Sequence, residues 1–146
     1  MNKQRIAIAC DHAGFPLKVV LKKVLENKGL TIIDFGTDSE NSVDYADYAH
    51  PLAAAVESGD CALGVTICGS GNGINMTVNK HQGIRAALCW NAEIARLARA
   101  HNDANVCSLP GRFVSEEEAI KIVDLFLSTP FDGGRHEGRI RKISCK

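Results

Sequence analysis

Apolar positions along the chain follow two alternating patterns. Short, nearly unbroken apolar runs are each followed by a longer stretch in which apolar residues return every three or four positions. Residues 6–10 read as a strand, and 15–27 as a helix with Leu17, Val20, Leu21, Val24 and Leu25 on one face and Gly29 as its stop. A second strand is expected over 31–35, then a helix over 48–57 ended by Gly59. Residues 62–68 form a third run, apolar enough for burial on both faces of a parallel sheet. The pattern continues with a helix from near Asn72 toward Lys80, a strand over 84–89, a helix over 92–100, a strand over 105–109 and a helix over 115–127. Ser115 and Glu118 have the spacing of a capping box at that last start. Such alternation implies right-handed crossovers and one five-stranded parallel sheet covered on both faces. No repeat, low-complexity tract or linker divides it, so residues 1–146 are expected to form one domain. The segment 130–146 is Gly-rich and basic and breaks the alternation. It reads as a short helix packing on a partner subunit.

Composition narrows the function class. At 146 residues, 45% apolar and 23% charged, the chain has the values of an ordinary soluble domain. Seventeen acidic side chains balance seventeen Lys and Arg, which argues against a nucleic-acid or membrane-surface binder. The N-terminus lacks the apolar core of a signal peptide, and no apolar run approaches the roughly 20 residues of a membrane span. A cytoplasmic protein is therefore expected. In a reducing compartment the six cysteines (Cys10, Cys61, Cys68, Cys89, Cys107 and Cys145) remain thiols. None has zinc-site spacing, and no metal or cofactor is expected. Most of them fall in or beside apolar runs, as small core residues do. Cys68 has different surroundings.

In open α/β sheets, ligands bind outside the carboxyl ends of the strands. Two polar motifs stand there: Cys10-Asp11-His12-Ala13-Gly14 and Cys68-Gly69-Ser70-Gly71-Asn72-Gly73. Alternate glycines in the second let backbone N–H groups crowd toward one point, and the following helix adds its N-terminal dipole. The loop suits a phosphate or a developing oxyanion. A dinucleotide fingerprint fails because Ile74 occupies its third place, and the Gly-Lys-Ser/Thr of a P-loop is absent. The hydrolase elbow would need glycine where Cys68 stands, and a phosphatase loop would need arginine at Ile74. What remains is a cysteine at the mouth of an anion-holding loop. Helix N-termini and nearby cations activate thiols, which then serve as nucleophile or as general base. The residues alone leave both roles open.

Other polar residues join these candidates. His12 and Asp11 follow the first strand, and His101-Asn102 precede the fifth. Arg135 and Arg139 are four apart and share a face if their segment is helical. Guanidinium forks suit phosphate, and Arg112, after Pro110-Gly111, is a third such group.

Assembled, these motifs resemble the B-type ribose-5-phosphate isomerase family, which also holds galactose-6-phosphate isomerase subunits and allose-phosphate isomerases. The resemblance runs nearly the full length, through Ala9 to Gly14, Asp44-Tyr45, Cys68 to Gly73, Asn79-Lys80, Gly83 to Ala86, His101 to Asn105, and Gly133 to His136 with Arg139. It implies a Rossmann-like three-layer α/β/α sandwich and a homodimer with sites between subunits, sometimes paired into a tetramer. It also implies interconversion of ribose 5-phosphate and ribulose 5-phosphate through an enediolate, without metal or nucleotide. Carried over residue by residue, Cys68 is the general base, since Ile74 stands where another branch has a glutamate. Ser70, where many members have threonine, handles hydroxyl protons. His101, with Asp11, opens the ring. Tyr45 and Asn102 bind sugar hydroxyls, and Gly69, Gly71, Asn72 and Gly73 shape the anion loop. His12, Arg135 and Arg139 grip the phosphate, helped by Arg112, with Arg135 and Arg139 supplied by the neighbouring subunit.

Three alternatives follow. One is a six-carbon sugar phosphate as substrate. Another is a nucleotide-binding module, disfavoured by the failed fingerprint and by Asp34 lying before the end of the second predicted strand. The third is an enzyme using Cys68 as a nucleophile.

Overall fold

Five apolar runs become five strands, and every pairing between them is parallel. They are β1 (Arg5–Cys10), β2 (Thr31–Asp34), β3 (Leu63–Cys68), β4 (Ala86–Leu88) and β5 (Val106–Pro110), in the spatial order β2-β1-β3-β5-β4. The helices are α1 (Phe15–Asn27), α2 (Tyr45–Glu57), α3 (Asn72–Val78), α4 (Ala92–Asn102), α5 (Glu116–Ser128) and α6 (Arg135–Arg141). This computed structural model describes residues 4–145; residues 1–3 and residue 146, the last of the predicted tail segment, lie outside the described residues. Among the described residues no helix is long and apolar enough to cross a membrane.

The sheet separates two cores. On one face Ile6, Ile8, Val65, Ile67 and Leu109 meet apolar residues of α1, α4 and α5. On the other, Ala7, Ala9 and Val106 meet α2 and α3 through Leu52, Ala53, Val56, Ile74 and Val78. The predicted three-layer α/β/α architecture is the observed one. The capping box also forms: Glu118 N–H donates to Ser115 Oγ at 3.1 Å, and Ser115 N–H to Glu118 Oε1 at 3.2 Å.

Boundaries differ where side chains compete with the ladder or extend a helix. β4 is shorter than predicted, because the Arg85 N–H goes to Asn105 Oδ1 at 2.8 Å instead of to a strand partner. α2 starts at Tyr45, one turn earlier than predicted, and α4 runs on through His101 and Asn102. β2 ends at Asp34, so the predicted position of that acid before the strand's end is corrected. The Asp34 carboxylate is already engaged, however, and is not offered to a nucleotide ribose.

Its partner is a buried lysine. Lys18, only 2% exposed, donates from Nζ to Asp34 Oδ1 at 2.8 Å and to the Thr37 carbonyl at 2.5 Å. The Gly36 N–H adds a bond to the same carboxylate oxygen at 2.8 Å. Burial alone would raise the Asp34 carboxyl, but the Lys18 and Gly36 hydrogen bonds and the charges of Lys18 and Lys22 outweigh it, leaving the carboxyl below its ordinary value. A depressed carboxyl stabilises the fold above its unfolded pKa and loses that contribution as pH falls through its folded value. Asp34→Asn should therefore be less stable than the parent at neutral pH. Urea unfolding between about pH 5 and about pH 2 should show a shallower pH dependence for the variant. Identical slopes would remove Asp34 from the acid sensitivity.

Candidate active site

Three strands deliver the first group of polar residues to one edge of the sheet. Cys68 closes β3 opposite Pro110 at the end of β5, and β1 ends at Cys10 beside Ile67. The turns that follow are stitched together: Asp11 N–H donates to the Ile67 carbonyl at 3.2 Å, Gly111 N–H to the Cys68 carbonyl at 2.9 Å, and Arg112 N–H to the Gly69 carbonyl at 3.0 Å. Asp11, His12, Cys68, Ser70 and Arg112 thus share this carboxyl edge.

Local chemistry fixes each of them. Asp11 is buried, and its Oδ1 accepts the N–H groups of Ala13 at 3.0 Å and Gly14 at 3.1 Å, which shapes the turn into α1. His12 Nδ1 accepts the Val43 N–H at 3.2 Å. A neutral imidazole in that arrangement carries its proton on Nε2. Cys68 is 4% exposed and joins the core on the α2/α3 face beside Ile74. Burial pushes the Cys10 thiol up to about 12 and raises the Cys61 and Cys107 thiols as well.

The glycine loop has the predicted geometry. Gly71 takes φ 79°, a left-handed conformation suited to glycine, and a side chain there would strike Leu88 and the Leu109 backbone. Gly73 lies under the Tyr45 ring, where an added Cβ would come within 2.4 Å of the phenol carbon. This contact explains how Tyr45, at the start of α2, reaches the loop. A side chain at Gly69 would sit 3.2 Å from the Arg112 guanidinium, which places that cation against the same turn. Ser70 is exposed, and its Oγ accepts the Asn72 N–H at 3.2 Å, leaving its own proton free to donate. Among the described residues, the N–H groups of Gly69, Ser70 and Gly71 meet no acceptor. α3 has only seven residues, so the turn's own amides, more than a helix dipole, are what an anion would meet.

The second group lies at the opposite edge. His101 and Asn102 form the last turn of α4, immediately before β5 begins. β5 has five residues at about 3.3 Å each, so roughly 16 Å of strand separates that edge from Cys68. Arg135 and Arg139 are on α6, which packs on α4 of its own chain, and both are exposed. The His101 and His136 rings stack with centroids 4.3 Å apart and 14° between their planes. Burial, then the proximity of His101 and the guanidinium charges of Arg135 and Arg139, hold the His136 imidazole below its ordinary pKa, against the pull of Asp132. Asn102 also borders a recess of about 650 Å³, together with Lys80, Arg85 and Ile140.

Ligand atoms of His101, Asp132 and His136 lie within 4.8 Å of one another. Nearly parallel rings do not aim two in-plane lone pairs at one point, as coordination at about 2.0–2.1 Å requires. This geometry favours a stacked imidazole pair over a metal centre. One chain therefore assembles Asp11, His12, Tyr45, Cys68, Ser70, the loop glycines and Arg112 at one edge. His101, Asn102, Arg135 and Arg139 assemble at the other. Sequence spacing did not single out a role for His136, whose stacking on His101 depends on the fold of the tail.

A family model described as Ribose/Galactose Isomerase matches residues 6–143. Ribose-5-phosphate isomerase B of Escherichia coli is 43% identical over 142 residues, covering 97% of this chain and 95% of that one. The fold superposes on a ribose 5-phosphate isomerase from Thermotoga maritima with a TM-score of 0.95 and 53% identity, over 97% of this chain and 98% of the other. A ribose-5-phosphate isomerase B from Mycoplasma genitalium, solved with bound ribulose-5-phosphate, is 42% identical with a TM-score of 0.93, over 98% of this chain and 95% of that one.

Proposed function

Since the chain belongs to the Ribose/Galactose Isomerase family, we propose that it interconverts ribose 5-phosphate and ribulose 5-phosphate through an enediolate. The near full-length likeness to the Thermotoga maritima ribose 5-phosphate isomerase carries this reading. Relatives named for the five-carbon sugar favour it over a six-carbon substrate.

In this reading Cys68 is the base. Its thiolate takes the proton from C2 of the open-chain aldose, and the electron pair moves onto O1. The free amides of Gly69, Ser70 and Gly71 hold the enediolate, inside the turn shaped by Asn72 and Gly73. Ser70 passes the O2 proton to O1, and the Cys68 thiol returns its proton to C1, completing the ketose. His12 donates Nε2–H to the phosphate. Tyr45 binds a sugar hydroxyl, and Arg112 assists with the anion.

The remaining roles need the other edge. His101, paired with Asp11, opens the ring, Asn102 binds a sugar hydroxyl, and Arg135 and Arg139 close on the phosphate. With the two edges roughly 16 Å apart in one chain, the complete site is a homodimer's, with the 130–146 segment turned toward the partner. A tetramer would pair two such dimers. Six free thiols among the described residues suit a reducing cytoplasm.

Incubation with ribose 5-phosphate in heavy water tests the reaction. The expected product is ribulose 5-phosphate carrying solvent deuterium at C1. Absence of ketose would overturn the reading, and a covalent sugar adduct trapped on Cys68 would replace the base with a nucleophile.

A further inference from the structure

The Gly83-Ile84-Arg85-Ala86 motif has no part in the chemistry above, yet its arginine reaches the edge where His101 and Asn102 sit. Arg85 Nε donates to the Asn102 carbonyl at 3.1 Å, and Nη2 donates to the Asp103 carbonyl at 2.8 Å. Nη2 also meets the Asp103 carboxylate at 3.4 Å, while Arg99 Nη1 holds the other carboxylate oxygen at 3.0 Å. Asp103 has φ 47°, the single positive φ outside glycine among the described residues. Its left-handed turn ends α4 directly after Asn102. An L residue held there costs free energy, so the surrounding contacts must favour the turn.

Arg85 is itself fixed. Its N–H donates to Asn105 Oδ1 at 2.8 Å, its carbonyl accepts the Asn105 N–H at 2.9 Å, and Asn105 Nδ2 donates to the Gly83 carbonyl at 2.8 Å. Asn79 clamps the next residue from the other side, donating to the Ala86 carbonyl at 3.0 Å and accepting its N–H at 2.8 Å. A rigidly mounted fork is therefore turned onto the closing carbonyls of α4, groups that a helix end leaves without intrahelical partners. The cation also complements the negative end of that helix.

We propose that Arg85 is a positioning residue for His101 and Asn102: it fixes the last turn of α4 and with it the approach of the ring-opening imidazole to the sugar. This rests on the role given to His101 above. Lysine is a poor substitute, because one ammonium does not reproduce a planar fork across two carbonyls.

Carbohydrate chemistry separates ring opening from proton abstraction. Ribose 5-phosphate is largely a closed furanose and must open before C2 is acidic. Ribulose 5-phosphate carries phosphate on O5, forms no furanose and is already open. Exchange of its C1 hydrogen with heavy water needs the base but no ring opening. Arg85→Ala and Arg85→Lys should lower kcat for ribose 5-phosphate by roughly 100-fold, the scale of a misplaced reacting group, while C1 exchange from saturating ribulose 5-phosphate stays near the parent rate, a displaced Asn102 showing only in KM. Loss of both activities in parallel would reduce Arg85 to a structural residue and overturn the proposal, as would unimpaired conversion. If Arg85→Ala fails to fold, the charge-conserving Arg85→Lys is read alone. His101→Gln is the reference. Should it lose conversion and exchange equally, the role of His101 fails and the Arg85 proposal falls with it. Should it show the split while the Arg85 variants do not, the error lies with Arg85 alone.

Discussion

Cys68→Ala should lower kcat by about 10³-fold while ribulose 5-phosphate still binds. A positioned general base contributes on that scale, and nothing adjacent can replace it. The residue after the last loop glycine is Ile74, fully buried and apolar, so no carboxylate waits in reserve. Asp11 is an acid on the same edge of the sheet, but its Oδ1 is committed to two turn amides. Alanine removes one sulfur from a residue on the core side of the loop and leaves the backbone of the 69–73 turn unaltered, so the amides and the His12 tautomer persist. Binding, read as a ribulose 5-phosphate-dependent rise in Tm, should survive within a few degrees of the parent's. Cys68→Ser should be almost as inactive, because a hydroxyl at that place is a far weaker base than a thiolate. Activity within tenfold of the parent in either variant would move the base elsewhere. Loss of ligand stabilisation along with activity would instead mean that the substitution had collapsed the loop.

The architecture was legible because its signals are local. Unbroken apolar runs such as 62–68 can be satisfied only by burial on two faces, and the Ser115–Glu118 cap works within one turn. The glycine loop was equally readable, since a left-handed residue at Gly71 and the close approach of Tyr45 to Gly73 both demand what glycine offers. Elements fixed by distant partners were not readable. Lys18 is polar in a helix whose predicted face was aliphatic, yet it is buried because Asp34 and the Thr37 carbonyl receive its charge from another segment. Val20 and Val24, assigned to that face, are only half-buried. His101 and Asn102 lie beyond the helix predicted over 92–100, but α4 extends through them, bonded at Asn102 by an arginine from the connection before β4. The motifs named the chemistry well. Which edge of the sheet each motif occupies follows only from topology, and that placement divides the proposed site in two.

That division makes its own prediction. Cys68→Ala and His101→Gln should each be nearly inactive alone, yet co-expression or joint refolding should restore about one quarter of parent activity. Random pairing of equal amounts puts half of all chains into mixed dimers. In each mixed dimer one site receives both defects and the other receives neither, so half the sites in half the dimers are intact. If each chain held its own complete site, mixing would restore nothing, because no chain in the mixture would carry both residues. The converse mixture separates shared sites from trivial rescue by stabilisation. A chain carrying both Cys68→Ala and His101→Gln, mixed with the parent, should spoil both sites of every mixed dimer. Activity per parent chain should then fall to about one half, whereas chains with self-contained sites would be unaffected by the partner. Recovery in the first mixture without loss in the second would point to an assembly other than reciprocal site sharing. The two results together would place Cys68 and His101 of different chains across one substrate.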